Sequence, residues 1–158
     1  YVLIMEAAQV RRLTIGRLGE FVLRPGFYAY VGSACGAGGL RARVAHHLEN
    51  RGSLHWHIDH LLRVVRPIEV WYAVAGRGLE KDWVELFEES NQWRVPIPRF
   101  GASDYRRAVR AHLFYRKRRP RFEWFAAMVR ERLSPEIRPE RLVLEAGRVG
   151  EGEGGGRR

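Results

Sequence analysis

Apolar and polar positions along this chain change their period several times, and each change marks an element. Residues 1–5 are wholly apolar, as a buried strand requires. A second extended segment ends at Phe21-Val22-Leu23, and Arg24-Pro25-Gly26 reads as a turn. Residues 27–32 are rich in aromatic and β-branched side chains, which favours a third strand. A loop covers residues 32–39, and a helix starts near Leu40, with Leu40, Val44 and Leu48 at helical spacing. Gly52-Ser53 breaks that helix, and Ser53 suits the N-cap of the next. Ile58, Leu61, Leu62 and Val65 give that next helix its amphipathic face, and Pro67 ends it.

Residues 68–74 read as a strand, and Leu79, Trp83, Leu86 and Phe87 as a helix. A proline-containing extended stretch follows, closing in Phe100-Gly101-Ala102-Ser103-Asp104, a turn with Ser103 or Asp104 as a helix cap. Residues 112–115 look like a further strand, and Phe122, Phe125, Ala126 and Val129 like a last helix that stops near Pro135. The alternation predicts an α/β (α+β) domain, a small mixed, largely antiparallel sheet flanked by helices. Its expected span is residues 1–133, with 119–133 as an added C-terminal helix. Residues 134–158 are expected to be mostly a disordered tail, glycine-rich and charged from 146 onward.

Charge adds a partner to this picture. The 158 residues hold 28 basic and 18 acidic side chains, a net charge of +10. Lys81 and Lys117 are the only lysines, so the positive charge is nearly all arginine, whose planar fork of donors matches phosphate oxygens. Nucleic acid is the expected partner, by its phosphates. Cys35 is the single cysteine, which excludes an intramolecular disulfide and fits a reducing, cytoplasmic setting. No apolar run approaches the roughly 20 residues of a membrane span, so no membrane partner is expected.

Five groups of residues carry candidate chemistry. The glycine-rich loop Gly32-Ser33-Ala34-Cys35-Gly36-Ala37-Gly38-Gly39 lets backbone and guanidinium approach a phosphate closely, and Arg43 stands one turn before His47 at the edge of the apolar stripe. Tyr28 and Tyr30 share one strand face, and Tyr1 lies in a neighbouring strand; a buried phenol there orients a water or acts as a base, or is simply core. Glu80 borders the apolar face of its helix, where it suits either a single divalent cation or the helix dipole. His55-Trp56-His57-Ile58-Asp59-His60 packs three histidines into six residues, and His55 and Asp59 are one turn apart if the piece is helical. The run Arg116-Lys117-Arg118-Arg119 reads as a phosphate-backbone contact or a solvated edge. The loop lacks the Gly-Lys-Ser/Thr ending of a nucleoside-triphosphate loop, and zinc is poorly supported with one cysteine.

In order, Tyr30-Val31-Gly32-Ser33, then Leu40, Arg43 and His47, then a helical Glu80, resemble the GIY-YIG endonuclease superfamily. His55-Trp56-His57-Ile58-Asp59, Phe100-Gly101-Ala102-Ser103-Asp104 and His112-Leu113-Phe114-Tyr115 resemble its Uri-type branch. The resemblance runs to about Tyr115 and excludes the helix after Pro120. It implies a divalent-metal-dependent endonuclease that hydrolyses nucleic-acid phosphodiesters, DNA before RNA, with a place in repair. The alternative is a catalytically inactive nucleic-acid-binding module. By the resemblance Tyr1 and Tyr30 handle the attacking water, Arg43 and His47 complete the catalytic set, and Glu80 holds one Mg²⁺ or Mn²⁺. Gly32, Ser33, Gly39, His55, His57, Arg116 and Lys117 are the expected nucleic-acid contacts. A monomer or weak homodimer is the expected state, since one active site cuts one strand.

Overall fold

Strand β1 (Val2–Ala7) is apolar on both faces because it is covered on both, and it sits at the centre of a five-stranded sheet. The structure is a computed structural model that describes residues 1–49, 54–102 and 111–144. The other strands are β2 (Arg11–Ile15), β3 (Gly19–Leu23), β4 (Gly26–Val31), β5 (Arg66–Tyr72), β6 (Leu113–Arg116) and β7 (Glu140–Val143). The helices are α1 (Gly39–Glu49), α2 (His57–Leu61), α3 (Glu80–Glu89) and α4 (Phe122–Arg132). The main sheet runs β6-β4-β1-β5-β7, every pairing antiparallel, and β2 and β3 form a separate hairpin. This is the small α+β fold that the alternation of patterns predicts.

Strand alternation sorts the core into two layers. Val2, Ile4, Ala29, Val31, Trp71 and Phe114 face α3 and α4, where they meet Trp83, Val84, Phe87, Phe125 and Val129. Aromatic contacts dominate this layer: Phe87 stacks on Phe114 at 5.1 Å, and Trp71 on Phe125 at 5.3 Å. Tyr1, Leu3, Met5, Tyr28, Val70 and Leu113 face the other way, onto Leu13, Ile15 and Leu23 of the hairpin, Val44 of α1, and Ile58 and Leu61 of α2.

Between β1 and β5 the register shifts: Ile4 pairs with Glu69 but Met5 pairs with Pro67, which leaves Ile68 as the extra residue of a bulge. The bulge accommodates a proline in the strand and turns Ile68 to the same layer as Trp71. Glu69 is buried beside it, where its two oxygens accept from Trp71 Nε1 at 2.8 Å and Arg119 Nη2 at 2.7 Å.

Several expectations are corrected here. Strand β2 was not anticipated, although Leu13 and Ile15 alternate with exposed Arg12 and Thr14 in the strand manner. The helix expected over 58–65 is α2 followed by turns, and β5 begins before Pro67 rather than after it. Leu48 is exposed, because α1 presents Val44 and His47 to the core instead. Within the expected tail, residues 140–143 pair with β5 along Glu69↔Val143 to Tyr72↔Glu140 and so close one edge of the sheet. Ser53, Ser103, Asp104 and residues 145–158 lie outside the described residues.

Candidate functional site

A cleft of about 420 Å³ opens where β1 begins, β4 ends, α1 passes and α3 starts. Tyr1, Tyr30, Ser33, Arg43, His47, His55, Trp56, His57 and Glu80 all line it, so five elements and two loops converge on it. Sheet geometry makes the first juxtaposition. Tyr1 extends the β1–β4 ladder by one pair, its N–H donating to Gly32 O and its carbonyl accepting from Gly32 N, each at 2.9 Å. That register places the Tyr1 ring next to Tyr30, centroid to centroid 6.5 Å. An ideal Cβ on Gly32 would lie 2.6 Å from the Tyr1 ring, so the glycine is there to let the phenol cross it. Gly32 therefore spends its N–H on the sheet, and Gly39 donates its own to Gly36 O at 3.1 Å. Neither of these two expected contacts has its amide free for a phosphate. Gly39 instead takes a φ of 60°, the left-handed turn that starts α1.

Helix α1 supplies the second side. Arg43 and His47 are one turn apart and face the tyrosines together, as their spacing predicts. Tyr1 Oη and His47 Nε2 are 2.6 Å apart in a buried hydrogen bond, and the His47 ring also meets Tyr30 edge-on at 6.2 Å. Burial lowers the His47 pKa to about 4, with the nearby Asp59 carboxylate opposing that shift and His46 and Arg43 adding to it. His47 is therefore neutral at pH 7, and burial makes it a weaker base than a free imidazole. Burial drives both phenols upward, Tyr1 chiefly by desolvation and then by Tyr30, Tyr30 by desolvation and then by the Glu80 carboxylate. In each case the Arg43 guanidinium pulls the other way. Arg43 makes no ion pair among the described residues.

The carboxylate comes from the first residue of α3. Glu80 Oε1 lies 3.0 Å from His112 Nδ1, which also stands 3.1 Å from Val31 O. The Val31 carbonyl is an acceptor, so His112 carries its proton on Nδ1 and donates it there, with the Glu80 carboxylate close beside the same N–H. Glu80 Oε2 has no protein partner among the described residues, and Glu80 opens onto the cleft. His112 is the site residue that sequence reasoning missed. Its strand was recognised, but only the sheet order, with β6 against the end of β4, brings it to Glu80.

The histidine cluster divides. His57 Nδ1 accepts from the Gly101 N–H at 2.9 Å and its ring lies 5.5 Å from Phe100, which fastens the Phe100-Gly101 turn to the cleft wall. Burial, helped by His60, lowers its pKa and keeps that nitrogen an acceptor. His55 is exposed on the rim. It makes no one-turn pair with Asp59, because α2 starts at His57; Asp59 instead accepts from the Trp56 N–H at 2.8 Å. Tyr28, on the same strand face as Tyr30, points away: its hydroxyl donates to Arg24 O at 2.8 Å and its pKa is pushed up to about 12, mainly by burial.

Arg116 and Lys117 are not at the cleft. Arg116 pairs with Phe27, three residues along β4 from Tyr30, or about 10 Å. Its guanidinium lies over the Trp93 ring at 5.5 Å and donates to Gln92 Oε1, and Arg119 is held by Glu69. The basic run is thus partly spent on the fold.

A family model, "Domain of unknown function DUF123", matches residues 1–134, and the chain belongs to that family. No curated protein and no solved structure matched the chain. The matched span ends just beyond α4, so it includes every residue of the cleft. Among the described residues, no helix is long and apolar enough to cross a membrane.

Proposed function

We propose that this protein is a divalent-metal-dependent endonuclease that hydrolyses nucleic-acid phosphodiesters, DNA in preference to RNA, as the GIY-YIG resemblance implies. One observation carries the reading: a buried Tyr1–His47 pair, an Arg43 with no ion pair among the described residues and the Glu80 carboxylate, one oxygen of which has no partner among them, face one cleft from separate elements. Binding of a phosphate backbone alone needs no carboxylate beside Arg43 in the cleft.

The chemistry follows from the protonation states. A phenol pushed far up cannot wait as a phenolate, so Tyr1 acts as a base only if its own proton leaves as it takes one from water. His47 Nε2, 2.6 Å away, is the acceptor positioned for that proton, and the charge that the proton brings must be offset within the cleft against the cost of burial. Tyr30 orients the same water, and Arg43 meets charge developing on the phosphate. Among the described residues no three His, Cys, Asp or Glu side chains form a metal cage. A single carboxylate with one open oxygen instead fits Mg²⁺ or Mn²⁺, which keep most of their waters. Glu80 would hold such an ion, which would supply Lewis-acid stabilisation of charge developing on the phosphate. His112 holds Glu80 in place for it.

Nicking of supercoiled plasmid tests the reading, with and without chelator, in wild type and Arg43→Ala. Metal-dependent nicking that falls about a hundredfold or more in the variant is the expected result. Salt-sensitive binding with no cleavage under either metal would favour a silent binding module instead.

A further inference from the structure

Trp56 stands apart from the other tryptophans. Trp71, Trp83 and Trp93 are buried at 0%, 1% and 5% exposure, and Trp124 is half-buried against Trp93 and Phe87. Trp56 is 54% exposed, and it lines the same cleft as Tyr1, Arg43 and Glu80. An indole left open to water at a charged cleft is apolar surface that folding did not use.

Its backbone, by contrast, is fixed. The Trp56 N–H donates to the fully buried Asp59 carboxylate at 2.8 Å, and its carbonyl accepts from the Asp59 N–H at 3.0 Å. Ile58 and Leu61, buried at 1% and 0%, anchor the same turn in the core. Asp59 thus brackets the Trp56 backbone, from which the indole extends at the exposed rim. Rigid presentation matters because ordering a loop on binding would offset much of the gain from stacking.

We propose that Trp56 is a stacking platform for a nucleobase next to the phosphate held at Arg43, so that the cleft takes a strand whose base there is unstacked: single-stranded or locally distorted rather than regular duplex. This rests on the nucleic-acid reading above and names its substrate class. The chemistry favours a base over an apolar peptide side chain, because the ligand must offer a flat π-face to the indole and an anion to Arg43 within one cleft. Regular duplex hides its base faces in the stack and meets only the second demand.

The test is binding in chelator, where no strand is cut. The probes are a fluorescein-labelled oligothymidylate, an abasic deoxyribose-phosphate oligomer of the same length, and a duplex of that length. Wild type is expected to bind the oligothymidylate on the order of tenfold more tightly than either other probe, with quenching of tryptophan fluorescence. Trp56→Ala is expected to lose that preference while keeping its affinity for the abasic oligomer, and Trp56→Phe to retain most of it. Equal affinity of wild type for thymidylate and abasic strands would overturn the proposal, as would an unchanged preference in Trp56→Ala. In both cases the nucleic-acid reading would survive. Failure of wild type to bind any of the three at low salt would instead overturn that reading and this proposal with it.

Discussion

Residues 1, 32 and 47 show how closely the site depends on single side chains. Gly32→Ala sets a Cβ against the Tyr1 ring, at 2.6 Å if nothing moves, so the ring must swing off His47. The expected cost is about 1–3 kcal/mol of stability by urea titration, together with loss of cleavage. His47 makes a second prediction, with a definite sign. Its folded pKa of about 4 lies below the ordinary 6.5, so the unfolded chain binds the proton more readily between those values. Its contribution is fully present above pH 6.5 and is lost as pH falls through 4, on the order of 3 kcal/mol in all. His47→Gln should flatten that part of the pH–stability curve relative to wild type; parallel curves would contradict the buried neutral histidine. At this scale the sequence was informative wherever spacing along one element decides the neighbour. Arg43 and His47 share a helix face by arithmetic. The Glu80–His112 contact joins residues 32 apart, and no local pattern announces it.

Strands and helices were legible where their faces alternate or recur cleanly, as in β4 and α3. The misses have physical causes. Strand β7 is exposed along its length; its short run Leu142-Val143-Leu144 shows no alternation, and the strand exists through its ladder with β5. Pro67 reads as a terminator, yet the bulge at Ile68 lets it sit inside β5. The buried Glu69 next to that bulge ties the Trp71 indole and Arg119 to β5. Glu69→Ala leaves the Trp71 N–H without its acceptor in the core and frees Arg119. We expect a loss of about 2–3 kcal/mol in chemical unfolding, with a smaller loss in Glu69→Gln, which keeps an acceptor. A change under about 0.5 kcal/mol in both would mean that the buried contact contributes little.

Across the whole molecule, a net charge of +10 suggested nucleic acid but not where it binds. The structure separates arginines engaged in the fold from those facing the cleft, a distinction that composition does not contain. Arg116 lies over Trp93 and Arg119 pairs with Glu69, whereas Arg43 has no ion-pair partner among the described residues. Arg43→Ala is accordingly expected to weaken DNA binding and to lower the slope of log affinity against log salt by about one contact, roughly 0.7–0.9. Arg116→Ala is expected to leave that slope unchanged. An equal effect of both variants would point to diffuse surface charge rather than a defined cleft. The central claim is that the cleft cuts a phosphodiester with a metal held by Glu80. Single-turnover nicking of plasmid across a Mg²⁺ and Mn²⁺ series, in wild type and a folded Glu80→Ala variant, tests it most directly. Saturable, metal-dependent nicking by wild type that Glu80→Ala lacks at every concentration is the result predicted here. Nicking that persists without metal, or with the same metal dependence in both proteins, would contradict it.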